Sequence, residues 1–171
     1  MSTSAPRSDP RHLVLADAAF GAHPGLAAAE LPVAADALGR WYRALVLGGQ
    51  GRYAAARVEL RIVRTSSIDP VMLSLAASTE GSLLRQLGWH DAAAKLDGRA
   101  AALILSADAV RGNRADQVLG HTDAVCDAVT GLAADALGVG RLALARRLLR
   151  RMRPTVEEEQ TGWRPRRAIG T

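Results

Sequence analysis

Residues 81–93 read GSLLRQLGWHDAA, and their spacing decides the fold. Gly88 divides two apolar-periodic runs. Gly81 lies seven residues before it and Ala93 five residues after it. The same arrangement recurs at residues 44–56, ALVLGGQGRYAAA, and at residues 133–145, AADALGVGRLALA. In each, a turn glycine (Gly51, Gly88, Gly140) is flanked by small residues at fixed distances: Ala44 and Ala56, Gly81 and Ala93, Ala133 and Ala145. Two antiparallel helices need small side chains where their backbones cross. A small residue on each side of a tight turn meets that need three times.

Outward from these turns the apolar positions follow helical spacing. Leu142, Ala145, Leu148, Leu149 and Met152 fall on one face, with Arg146, Arg147, Arg150 and Arg151 opposite. Tyr53, Ala56, Leu60 and Val63 form another stripe, with Arg57, Arg61 and Arg64 beside it. The pattern predicts helices over about His12–Gly21, Val33–Leu47, Arg52–Thr65, Pro70–Leu87, Trp89–Ala109, Arg114–Leu137 and Arg141–Met152. A further short turn is expected at Leu26–Leu31. Pro70 after Asp69 suits a first helical position, and Pro154 is expected to end the last helix.

Composition agrees. Alanine accounts for 34 residues, against one Phe, two Tyr and three Trp. Alanine has the best helix propensity and loses no side-chain entropy on ordering. Runs of β-branched residues at period two, which would read as strands, are missing. The expected fold is all-α: stacked antiparallel helix-turn-helix repeats, about three pairs plus an N-terminal helical segment. Residues 1–10 read as a disordered N-terminus, 11–153 as one helical repeat domain and 154–171 as a basic flexible tail.

Over about Val33–Arg153 the chain resembles the tetratricopeptide repeats, in a divergent form of bacterial type. The small crossing residues carry the resemblance. Tyr53 matches the family's aromatic two residues after the turn glycine, Trp41 lies one residue from its common tryptophan, and Asp69-Pro70 resembles its inter-repeat proline. The turn glycines are 37 and 52 residues apart, against a family repeat of ~34, so the second gap holds an insertion around residues 107–122. In that family the first helix of each repeat lines a concave groove that binds a protein or peptide. Residue by residue, the resemblance implies a groove of Trp41, Ser78, Ser82, Arg85, Asp127 and Thr130. Arg85 would clamp a carboxylate there and Trp41 would anchor the partner. The alternative for Trp41 is core packing against the Ala-rich N-terminal segment.

Charge is uneven. Of the net +5, residues 141–171 carry nine Arg and three Glu, a net of +6, and the other 140 residues carry a net of −1. Arg146, Arg147, Arg150 and Arg151, with Arg164, Arg166 and Arg167 beside Trp163, form a basic strip suited to nucleic acid or an acidic partner. Glu157–Glu159 interrupts it.

No catalytic, cofactor or metal site is expected. The histidines His12, His23, His90 and His121 include no pair at metal-ligand spacing. His121, Asp123, Cys126 and Asp127 form the densest polar group, and Cys126 reads as a small core residue. Gly48–Gly51 lacks the Lys-Ser/Thr of a phosphate loop. A single cysteine suits a reducing cytoplasm. Met1–Pro10 lacks the apolar core of a signal peptide, and no apolar stretch is long enough to span a membrane. The chain is therefore read as a non-catalytic cytoplasmic scaffold for a protein or peptide, or alternatively as a nucleic-acid-associated regulator. The apolar N-terminal segment, with Leu13, Val14, Leu15, Phe20 and Leu26, has three possible uses: packing on the first repeat, filling the groove, or forming a homodimer contact.

Overall fold

The computed structural model describes residues 10–21, 23, 25–111 and 120–158. Among them are seven helices and no strand: α1 Pro10–Phe20, α2 Ala37–Gly49, α3 Tyr53–Ser66, α4 Pro70–Gln86, α5 His90–Arg111, α6 His121–Gly138 and α7 Leu142–Glu158. The chain divides between Ser66 and Ser67 into two compact units.

The three predicted turns form, and they share one geometry. Gly51, Gly88 and Gly140 have φ of 75°, 80° and 78°. The next amide in each reaches back five residues, from Arg52 to the Leu47 carbonyl, Trp89 to Leu84 and Arg141 to Ala136. Glycine lacks the Cβ that penalises this left-handed conformation, and the bond satisfies a carbonyl left over at the helix end. The result is three helix hairpins, α2–α3, α4–α5 and α6–α7. The six crossing residues are all buried.

In the first unit α1 packs on α2. Leu15 is fully buried, and Phe20 meets Trp41 and Tyr42 with ring centroids 5.9 and 5.7 Å apart. Leu15 and Phe20 of the N-terminal segment thus pack on the first hairpin, while Leu13 and Val14 stay exposed. Arg40 and Arg43 both reach Glu59 across the α2–α3 pair, at 2.9 and 3.0 Å. Arg43 also donates to the carbonyls of Leu31 and Pro32, which fixes the incoming loop. That loop corrects the predicted helix start near Val33. Asp36 accepts a hydrogen bond from the Gly39 amide at 2.8 Å and caps α2, so Pro32 to Ala35 remain outside the helix.

In the second unit α4, α5 and α6 pack mutually and α7 lies against α6. Asp69 caps α4, accepting from the Val71 amide, with Pro70 inside the first turn as expected. The centre is built from alanine, with Ala77, Ala100 and Ala128 in one cluster. Ser74 donates to the Ala100 carbonyl across the α4–α5 contact. The helix α7 runs through Pro154 to Glu158 rather than ending at the proline. Proline lacks one amide donor, and here that loss is not enough to stop the helix.

Candidate functional site

Two features of the second unit stand out, one buried and one exposed. The buried one begins with residues that break a stripe. On α5 the positions Ala93, Asp97, Ala100 and Ile104 share an inward face, and on α6 Ala124, Ala128, Gly131 and Asp135 do the same. Each stripe is small or apolar except for one aspartate. Asp97 is 0% exposed and Asp135 is nearly so. A buried carboxylate is costly unless it is paired. The partner comes from α4: the Arg85 guanidinium donates to Asp97 Oδ2, to Asp135 Oδ1 at 3.1 Å and to the Gly131 carbonyl at 3.2 Å.

The backbone makes room for this group. A Cβ at Gly131 would lie 2.4 Å from Asp97 Oδ2, and one at Gly81 would lie 2.9 Å from its Oδ1. The small residue at the α4–α5 crossing is therefore glycine rather than alanine because a carboxylate fills the space. Burial pushes the Asp97 carboxyl up to about 7, against the opposing pull of Arg85, and the neighbouring Asp135 adds to the rise. Burial also works against the Arg85 charge, but Asp97 and Asp135 outweigh it and hold its pKa above the ordinary value. Two carboxyls face one guanidinium. His90 stands beyond, its Nδ1 3.7 Å from Asp135 Oδ1 and its ring over Gly138.

The exposed feature is a groove of about 450 Å³ between α6 and α7. Thr130, Ala133, Ala134 and Leu137 line it from α6, and Leu142, Ala145, Arg146 and Leu149 from α7. Each set follows the i, i+3, i+4, i+7 spacing of one helix face. The floor is alanine. Leu137, Leu142 and Leu149 are 59%, 55% and 40% exposed. On the opposite side of the α6–α7 pair, a smaller hollow of about 290 Å³ is lined by His90, Asp91, Asp135 and Arg141 together with Leu132, Val139, Leu144 and Leu148.

The residues singled out in the sequence land in different places. Trp41 is 4% exposed, among the first unit's aromatic side chains. Ser78 is buried and Ser82 half-buried on α4. Arg85 spends its charge on Asp97 and Asp135. Asp127 is half-buried on α6, and Thr130 lines the groove. Arg146, Arg147, Arg150 and Arg151 are all exposed on α7, and Arg146 lines the groove with Thr130. The sequence pattern sets Arg146 opposite the apolar stripe; its i+4 relation to Leu142 instead puts it at the groove's edge. Arg164, Arg166 and Arg167 lie outside the described residues, as do residues 1–9, 112–119 and 159–171. Asp97 and Asp135 are absent from the residues singled out above, although an acid inside an otherwise small or apolar stripe is the signal that marks each.

No family model, curated protein or solved structure matches the chain. No helix among the described residues is long and apolar enough to cross a membrane.

Proposed function

We propose that this chain is a non-catalytic protein-binding module of the tetratricopeptide kind, acting in the cytoplasm. The observation that carries the reading is the α6–α7 groove, where three half-exposed leucines stand over an alanine floor. Contiguous exposed apolar surface rimmed by polar residues marks an interaction site. The shared turn geometry of the three hairpins and the buried small residues at their crossings support the repeat kinship. Arg85, Asp97 and Asp135 pair with one another across three helices, which suits a structural tie.

A second reading has one observation in its favour: four exposed arginines on α7 form a basic helix face. Phosphate binding through such a face weakens steeply with salt. Capture from extract by the purified full chain, with and without nuclease and at low and moderate salt, separates the two. A defined protein retained after nuclease treatment and at moderate salt supports the module. Nucleic acid alone, lost as salt rises, transfers the function to the arginine face.

A further inference from the structure

The geometry points to an amphipathic helix with an acidic flank as the occupant of the α6–α7 groove. This rests on the binding-module reading and names the partner's chemistry.

Shape comes first. Each wall of the groove is one stripe running from i to i+7. Seven residues of helix rise ~10 Å, or about two turns. A helix laid between the walls meets Ala133, Ala134 and Ala145 at the bottom, and side chains that small allow close approach of a third backbone. Leu137, Leu142 and Leu149 then cover the flanks of the incoming helix. Grooves of this kind are read by apolar anchors at i, i+3, i+4 and i+7 of the partner.

Charge decides which helix. Among the described lining residues Arg146 is the only charged one. Arg150 follows it one turn along α7, and both are exposed. Carboxylates spaced at i and i+4 on the partner match that pair. A second copy of this face would bring arginines against arginines, and like charges across an interface are disfavoured. A nucleic acid would bring phosphates to a floor of methyl groups that offers no donor.

Fluorescence anisotropy with the full chain tests this. The probe is a labelled synthetic helix with leucines at i, i+3, i+4 and i+7 and glutamates at flanking i and i+4 positions. Two controls accompany it: the same helix with lysine for glutamate, and a single-stranded oligonucleotide. The acidic helix should bind at least about ten-fold more tightly than the basic one, equivalent to ~1.4 kcal/mol. Arg146→Glu/Arg150→Glu, two exposed sites, should reverse that preference. Leu142→Ser/Leu149→Ser should weaken binding of both helices. The inference is overturned by equal binding of the two helices, by no binding of the acidic one, by a preference that fails to reverse, or by oligonucleotide binding alone. It is also overturned if sedimentation shows a dimer that the leucine variant dissolves. Should extract capture persist undiminished in both double variants, the module reading survives and this groove is not its site. If no protein is captured at all, the module reading itself fails.

Discussion

Asp97 concentrates the residue-scale physics of the second unit. Its carboxylate occupies space that two glycines leave open, so substitution at those glycines tests the arrangement from the backbone side. Gly131→Ala forces a methyl group against Asp97 and should cost ~1–3 kcal/mol in chemical denaturation, as overpacking does. Asp97 also carries a pH signature. Its folded pKa of about 7 lies above the ordinary 3.8, so between those values the folded chain holds a proton that the unfolded chain releases. The stability this supplies is complete below the ordinary value and lost as pH rises through about 7. Asp97→Asn keeps the shape without the titration. Thermal melts should therefore show the variant gaining on the wild type as pH is raised from 5 to about 8. A difference between the two that stays constant across this range would contradict the assignment.

Elements were largely legible in the sequence, because helices and turns are written in local spacing. Gly51, Gly88 and Gly140 announced three hairpins, and each adopts the left-handed turn that glycine favours. A Cβ at Gly88 would meet nothing within 4 Å, so Gly88→Ala isolates the conformational penalty. It should lower stability by about 1–2 kcal/mol in urea titration, without the clash expected at Gly131. What escaped the sequence was set by partners distant along the chain. For Trp41 the sequence offers both a binding anchor and a core residue, and the packing of α1 on α2 decides for the core. Arg85 read as a clamp for a ligand carboxylate, and it does clamp carboxylates, but they belong to α5 and α6. The end of α7 differs from expectation for another reason: a proline weakens a helix locally, and the outcome depends on the rest of the helix.

At the scale of the whole molecule, the proposed function rests on a surface. Two groups of residues that the sequence assigned to different partners, Thr130 to a peptide groove and Arg146 to a basic strip, meet along one cleft. That meeting turns a choice between protein and nucleic acid into a single surface with an apolar floor and a cationic edge. The most direct test is to compare capture from nuclease-treated extract by the wild-type chain and by Leu142→Ser/Leu149→Ser, with helical content checked by circular dichroism. Both leucines are well exposed, so the variant should remain folded. The expected result is that the wild type retains a defined protein at moderate salt and the folded variant loses about nine-tenths of it, a ten-fold weakening worth ~1.4 kcal/mol. Undiminished capture by the variant, or capture by the wild type that nuclease abolishes, would contradict it.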